Sequence, residues 1–293
     1  MANWVFVRSG HMKEKIGLIG AGTMGMGVAE AFAMNAYDVL LIDINQQILD
    51  SAKETIYQNM RYHKLFQNQD KKCDPKDAIK NITFSTEYET LKDVEYIIEN
   101  VNENWEIKKQ VYLKLNEICS NDCVFMVNTS CLSITKLASL TDHPEKVIGT
   151  HFMNPVSLKK SIEVISGYHT SKDTILKVEN LLNNIGKEII LVNDFPGFVS
   201  NRISHLFMNE AAFVVQDKVA EPENVDKIFK DCFGHKMGPL ETADLIGLDT
   251  VVDSLNVLYE SYQDSKFKCC PLLQKMVDAG LTGKKSGKGF YTY

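Results

Sequence analysis

The chain has 293 residues, of which 44% are hydrophobic and 24% charged, and its formal net charge is −6. These values are typical of a globular protein and exclude the collagen-like and disordered classes. The acidic balance disfavours nucleic-acid binding, and no uncharged stretch reaches the ~18 residues that a membrane span needs. Seven cysteines without a CxxC pair, together with the lack of a secretory signal, predict a reduced cytoplasmic protein without a metal site.

The apolar pattern predicts an α/β domain over residues 13–193 and a helical domain over 194–293. Residues 1–12 look unlike the rest and are expected to be a flexible extension or residues added by cloning. Pro196 and Gly197 mark the boundary between the two domains. Strands alternate with helical segments in the first domain, which predicts a Rossmann-type doubly wound sheet. The predicted strands are 16–19, 38–43, 82–85, 95–101, 123–128, 147–151, 161–165 and 188–192, and a long polar helix is predicted over 46–68.

A glycine-rich turn follows the first predicted strand. Gly20, Gly22 and Gly25 enclose Thr23 and Met24 in a GxGxxG pattern, with a helix predicted after it. Such a turn lets a pyrophosphate approach the backbone at a helix N-terminus. Asp43 ends the second strand, where a carboxylate that binds the ribose belongs. The pattern therefore predicts NAD binding, and the alternative is a glycine turn that binds nothing.

His151 differs from the other histidines because it ends an apolar strand, at the edge of the sheet where ligands bind. Glu163 lies within another apolar strand, and a buried carboxylate needs a partner. The two residues are predicted either to form an acid–base pair or to belong to unrelated ion pairs. His205 is expected to be a packing residue, whereas His63, His143, His169 and His235 are expected on the surface or at caps.

Several segments taken together resemble the 3-hydroxyacyl-CoA dehydrogenase family over about residues 16 to 293. The resemblance implies a Rossmann-type domain, a helical C-terminal domain and a homodimer formed through the latter. The motifs that carry it, besides the glycine turn, are Asn128-Thr129-Ser130, His151-Phe152-Met153-Asn154-Pro155, Ile162-Glu163-Val164-Ile165, Pro196-Gly197-Phe198-Val199-Ser200-Asn201-Arg202, Met237-Gly238-Pro239-Leu240-Glu241 and Gly287-Lys288-Gly289-Phe290-Tyr291.

The resemblance also implies roles for individual residues. His151 matches the catalytic histidine and Glu163 its partner carboxylate, and Ser130 and Asn201 match polar residues near the substrate oxygen and thioester. The residues implied on the cofactor side are Glu103, Lys108, Asn128 and Ser130, and those on the substrate side are Asn154 and Lys64 with Lys71, near the phosphates of coenzyme A. For the two lysines, a solvated charged face is the alternative.

Several positions of this chain carry residues that differ from those common in the family, and three of them are polar where the family is apolar. If 157–163 is extended, Ser157, Lys159 and Ser161 share a face with Glu163, and Asn100 and Cys131 join them. These residues predict a short, polar acyl group that pairs with Lys159. In the alternative, Lys159 extends to solvent or pairs with Glu163.

The sequence thus predicts an NAD-dependent oxidoreductase that acts on the 3-hydroxyl of a short 3-hydroxyacyl thioester. The acyl carrier is coenzyme A or an acyl carrier protein, the latter as in polyketide assembly. One alternative is a conventional 3-hydroxybutyryl-CoA dehydrogenase of fatty-acid or butyrate metabolism. The other is a non-catalytic, crystallin-like structural protein.

Overall fold

A computed structural model describes residues 14–66 and 73–293, so the predicted N-terminal extension lies outside the described residues. The described chain forms two compact units. The first extends to Asp194, and the second comprises Phe195 to Tyr293. No helix in the described ranges is long and apolar enough to cross a membrane.

The first unit, within the described residues, is built on one eight-stranded sheet with strand order β3-β2-β1-β4-β5-β6-β7-β8. Neighbouring strands pair in parallel, except that β6 and β7 are antiparallel. The strands are β1 (Lys15–Ile19), β2 (Asp38–Ile42), β3 (Ile82–Ser85), β4 (Tyr96–Glu99), β5 (Val124–Val127), β6 (Val147–His151), β7 (Ser161–Ser166) and β8 (Glu188–Asn193).

Six α-helices of the described chain accompany this sheet, and they are α1 (Thr23–Met34), α2 (Gln46–Phe66), α3 (Pro75–Ala78), α4 (Trp105–Ile118), α5 (Ile134–Ala138) and α6 (Lys172–Asn184). The central strands are apolar at nearly every position because a covered parallel sheet buries both of its faces. Ile16, Leu18 and Ile98, for example, are fully buried in the same core as Val28 and Phe32 of α1.

The second unit is helical in the described chain, with α7 (Ser200–Gln216), α8 (Pro222–Phe233), α9 (Pro239–Ile246), α10 (Leu248–Tyr262) and α11 (Pro271–Asp278). Two buried aspartates connect its segments. Asp226 of α8 accepts hydrogen bonds from the amides of Leu240 (2.9 Å) and Glu241 (2.8 Å), which caps the start of α9. Asp244 of α9 accepts one from the amide of Tyr291 (2.9 Å), near the C-terminus. The predicted doubly wound sheet followed by a helical domain is confirmed.

One local prediction is wrong. The segment 157–163 is not extended throughout, because the carbonyl of Pro155 accepts hydrogen bonds from the amides of Leu158 (3.1 Å) and Lys159 (3.3 Å). These bonds form a turn, and β7 begins only at Ser161. Ser157 and Lys159 therefore do not share a strand face with Glu163.

Candidate active site

The glycine-rich turn between β1 and α1 has the close contacts that its sequence predicts. A Cβ atom at Gly25 would lie 1.8 Å from the carbonyl oxygen of Gly20, whereas one at Gly22 would meet no atom within 4 Å. Gly25 is therefore required for packing, while open space lies in front of Gly22. The first turn of α1 carries no acidic side chain and no side-chain cap, so its amides suit a phosphate. These features fit the dinucleotide.

Asp43 lies beside this turn, directly after β2. Its Oδ2 accepts a hydrogen bond from the amide of Ala21 at 2.7 Å, which fixes the carboxylate next to the backbone of the turn. A carboxylate in this place binds the ribose hydroxyls of NAD and repels the 2′-phosphate of NADP.

We expect Asp43→Ala to weaken NADH binding about ten-fold or more, since charge-assisted hydrogen bonds to the ribose are lost. The preference for NADH over NADPH should narrow at the same time. Fluorescence titration of both nucleotides measures this, with the exposed Glu89→Ala as the control variant. Equal affinity of the native protein for NADH and NADPH would contradict the assignment.

His151 and Glu163 face each other across the antiparallel strands β6 and β7. The Nδ1 atom of His151 lies 3.0 Å from Oε2 of Glu163, and its Nε2 atom lies 3.2 Å from Oγ of Ser130. Both dyad residues are buried, at 8% and 7% exposure. A carboxylate at Nδ1 orients the imidazole and stabilises its protonated form, so Nε2 can exchange a proton with a ligand next to Ser130. His151 and Glu163 thus pair with each other rather than belonging to unrelated ion pairs, and their acid–base role stays a prediction.

Glu103 holds the loop that carries Ser130. Its Oε1 accepts hydrogen bonds from the amides of Ser130 (2.8 Å) and Cys131 (3.1 Å), and from the hydroxyl of Thr129. The residue predicted on the cofactor side thus also fixes the backbone around the serine. Cys131 lies within this arrangement, since its thiol donates to the same carboxylate oxygen at 3.6 Å.

Lys108 of α4 lies beneath that loop and is fully buried. Its ammonium donates to both carboxylate oxygens of Glu99 (2.7 and 2.8 Å) and to the carbonyl of Asn128 (2.9 Å), and it lies 3.7 Å from Oε2 of Glu103. Because no part of it is exposed, Lys108 acts on the site through these neighbours rather than by direct contact with a ligand.

Glu99 is a site residue that the sequence analysis missed. Burial raises the pKa of this carboxyl, and the nearby Lys108 ammonium and its hydrogen bonds oppose that rise. The signal that could have found it is the one that identified Glu163, namely an acidic residue in an apolar strand that needs a buried partner.

Asn100 binds Asn128 rather than lying beside Ser161. The side-chain amide of Asn128 donates to Oδ1 of Asn100 at 2.8 Å and accepts from the amide of Phe152 at 3.2 Å. The two contacts fix the orientation of the Asn128 amide and connect the ends of β4, β5 and β6.

The predicted substrate residues lie in separate places. Asn154 and Lys159 are exposed in the turn after β6, and Ser161 is half-buried at the start of β7. Lys64 of α2 pairs with Asp74 at 2.6 Å, while Lys71 lies outside the described residues.

Asn201 belongs to the second compact unit, in the first turn of α7. Its backbone carbonyl lies 2.9 Å from Nδ1 of His205, which is buried as expected of a packing histidine. Its role near the thioester stays a prediction.

Comparisons with known proteins find similar dehydrogenases over nearly the whole chain. Residues 15–195 match the NAD binding domain of 3-hydroxyacyl-CoA dehydrogenase, and residues 197–293 match the C-terminal domain of that family. A probable 3-hydroxybutyryl-CoA dehydrogenase of Deinococcus radiodurans is 42% identical over 279 residues, which cover 95% of this chain and 100% of that relative. A 3-hydroxybutyryl-CoA dehydrogenase of Clostridioides difficile is also 42% identical, with 95% of this chain and 99% of the relative covered. The crystal structure of (S)-3-hydroxybutyryl-CoA dehydrogenase PaaH1 from Ralstonia eutropha has a TM-score of 0.91 at 36% identity, covering 96% of this chain and 99% of that one.

Proposed function

Because this chain belongs to the 3-hydroxyacyl-CoA dehydrogenase family and is an NAD-dependent oxidoreductase, we propose that it oxidises the 3-hydroxyl group of a short 3-hydroxyacyl thioester of coenzyme A. The observation that carries the proposal is the alignment of Ser130, His151 and Glu163, with contacts of 3.2 and 3.0 Å. The non-catalytic alternative is not favoured, since a structural protein has no need of a buried histidine–carboxylate pair beside a dinucleotide turn.

In the proposed reaction, Nε2 of His151 accepts the proton of the 3-hydroxyl group, and Glu163 stabilises the imidazolium that forms. When bound, NAD+ supplies the acceptor for the hydride that leaves C3. The hydroxyl of Ser130 donates a hydrogen bond to the substrate oxygen. In the reverse direction, the protonated His151 returns its proton to the oxygen of the 3-oxo group.

A groove of about 730 Å³ on α2 supports coenzyme A as the acyl carrier. Its lining includes Arg61, Lys64 and Lys76, together with Asp74 and the ring of Tyr57. Basic side chains around a groove of this size suit the phosphates of a nucleotide. Lys64 already pairs with Asp74, so Arg61 and Lys76 are the stronger candidates for contacts to phosphate.

Neutralising both side chains in the Arg61→Gln, Lys76→Gln double variant is therefore expected to raise the KM for acetoacetyl-CoA about ten-fold. The KM for acetoacetyl-N-acetylcysteamine, which lacks the phosphates, should stay unchanged. Lys80→Gln is the matched control, since Lys80 is exposed, pairs with Asp77 and does not line the groove. An equal rise in KM for both thioesters would contradict the assignment of this groove to the carrier.

A substrate panel tests the proposed activity itself. It compares 3-hydroxybutyryl, longer aliphatic 3-hydroxyacyl and polar glyceryl groups, each on coenzyme A and on an acyl carrier protein. We expect the highest kcat/KM for a short group on coenzyme A, and a carrier-protein thioester as the better substrate would contradict this.

Ser161 still supports a polar acyl group, because it lies in β7 two positions before Glu163 and so on the same face of the strand. Ser157 and Lys159 lie in a turn and no longer support it. The polar acyl group and the cytoplasmic location stay predictions, and the carrier-protein substrate is the alternative that the panel tests.

We also propose a homodimer formed through the helical C-terminal unit. This unit exposes large apolar side chains on α7, α8 and α9, among them Ile203 (63% exposed), Phe233 (67%) and Leu245 (53%). Exposed apolar surface of this kind marks interaction sites. Sedimentation analysis should give twice the chain mass, and a monomer at micromolar concentration would contradict the proposal.

A further inference from the structure

The two residues of the dyad are joined by one short connection, residues 152–160, here called the connecting loop. It leaves β6 directly after His151 and enters β7 two positions before Glu163. It also carries Asn154, the exposed amide that the family resemblance assigns to substrate. The position of this loop therefore determines which of its residues contact a ligand that is bound at His151.

A buried lysine from outside the loop binds it at two points. Lys187, which directly precedes β8, is 7% exposed. Its ammonium lies 2.5 Å from the carbonyl oxygen of Val156 and 2.5 Å from that of Lys159. These are charge-assisted hydrogen bonds, which are shorter and stronger than neutral ones. Burying an ammonium costs desolvation free energy, so an apolar side chain at this position would destabilise the folded state less.

A second contact acts on the same loop from α2. The hydroxyl of Ser157 lies 3.3 Å from Nε2 of His63, and Nδ1 of His63 lies 2.6 Å from a carboxylate oxygen of Glu30. Glu30 belongs to α1 and is 4% exposed. His63, expected at the surface or at a cap, is thus half-buried and connects the glycine-turn helix to the loop.

Packing completes the attachment. The side chain of Val156 is buried against α1, where a Cβ atom added at Gly27 would lie 3.1 Å from its Cγ2. At the far end of the loop, the carbonyl of Lys160 accepts a hydrogen bond from the amide of Glu188 at 2.9 Å.

From these contacts we infer that Lys187 is a positioning residue for substrate, which fixes the connecting loop so that Asn154 meets an acyl thioester whose oxygen reaches His151. The inference rests on the proposed function. It assigns to Lys187 an effect on acyl-thioester binding, since the two carbonyl oxygens that its ammonium binds belong to the connecting loop. A substitution at Lys187 leaves the residues of the glycine turn unchanged, so we expect dinucleotide binding to persist.

The first test compares Lys187→Met with Lys187→Arg. The methionine variant keeps the apolar stem but loses both hydrogen bonds, and its KM for acetoacetyl-CoA should rise about ten-fold to a hundred-fold. Its kcat at saturation and its Kd for NADH should stay near the native values, and arginine should restore part of the lost affinity. The matched control is Lys160→Met, which removes an exposed ammonium from the same loop. A lower Tm with unchanged KM, or an equal loss of NADH affinity, would overturn the inference.

Two further measurements keep the inference falsifiable if Lys187→Met folds poorly or if the native protein does not turn over acetoacetyl-CoA. Ser157→Ala removes only the contact to His63 and should raise the same KM by a smaller factor, without changing the Kd for NADH. Amide hydrogen exchange needs no substrate, and in Lys187→Gln, whose shorter side chain cannot reach both carbonyl oxygens, it should accelerate in 152–160 but not in β6. Unchanged exchange in the loop would overturn the role of Lys187, whereas absent turnover by the native protein would overturn the proposed function alone.

Discussion

Replacing His151 with glutamine is expected to lower kcat by about 10²–10⁴-fold, the usual contribution of a general base. Glutamine retains a polar group between Ser130 and Glu163 but cannot accept a proton at this place. Binding of NADH should change little, because this substitution leaves the glycine turn and Asp43 unchanged. Steady-state kinetics and a fluorescence titration of NADH measure the two effects.

Two companion variants give this prediction its controls. Glu163→Gln keeps a hydrogen-bond acceptor for Nδ1 but loses the negative charge that stabilises the imidazolium, so it should lower kcat more than it weakens binding. His143→Gln alters a half-buried histidine that pairs with Glu145, and it should keep native kinetics. Near-native turnover by His151→Gln would show that the proton acceptor lies elsewhere.

The second large effect is expected on stability. Lys108→Met leaves the buried carboxylate of Glu99 without its ammonium partner, and breaking a buried ion pair in this way costs about 3–5 kcal/mol. Chemical denaturation measures the loss, with Lys109→Met on the same helix as control. Glu99→Met combined with Lys108→Met should recover part of it, because the uncompensated charge is then removed as well. A loss no larger than that of the control would show that the pair contributes little.

The stability deficit of Lys108→Met should also depend on pH. The pKa of Glu99 is raised by burial in the native protein, and without the ammonium that opposes this rise the pKa moves further upward. A carboxyl with a raised pKa stabilises the folded state below its unfolded pKa, and this contribution is lost as pH rises through the folded pKa. The deficit should therefore be smallest in acid and grow towards neutral pH. A deficit that shrinks with rising pH would contradict the assignment.

The parts of the fold that follow from local pattern were predictable from the sequence. The strands 82–85 and 147–151 agree with β3 and β6 because short apolar runs between polar turns allow little choice of boundary. Other boundaries moved by a few residues. β4 ends at Glu99 rather than at 101, because the amide of Val101 donates to the Glu99 side chain at 2.7 Å and turns the chain away from the sheet.

The contacts that could not be predicted depend on tertiary packing. Alternating polar residues at 157, 159 and 161 suit a strand, but the same residues also suit a turn, and hydrogen bonds to Pro155 decide between them. Likewise, Lys187 meets the loop only because β8 pairs with β7. No local pattern reveals that its ammonium is buried rather than solvated, as is usual for lysine.

The most direct test of the central claim is the reduction of NAD+ by the native protein in the presence of (S)-3-hydroxybutyryl-CoA. We predict that NADH and acetoacetyl-CoA form in equal amounts, and that Ser130→Ala and His151→Gln both slow their formation. A protein that binds NADH in titration yet produces neither product from this or any other short 3-hydroxyacyl thioester would contradict the proposed function.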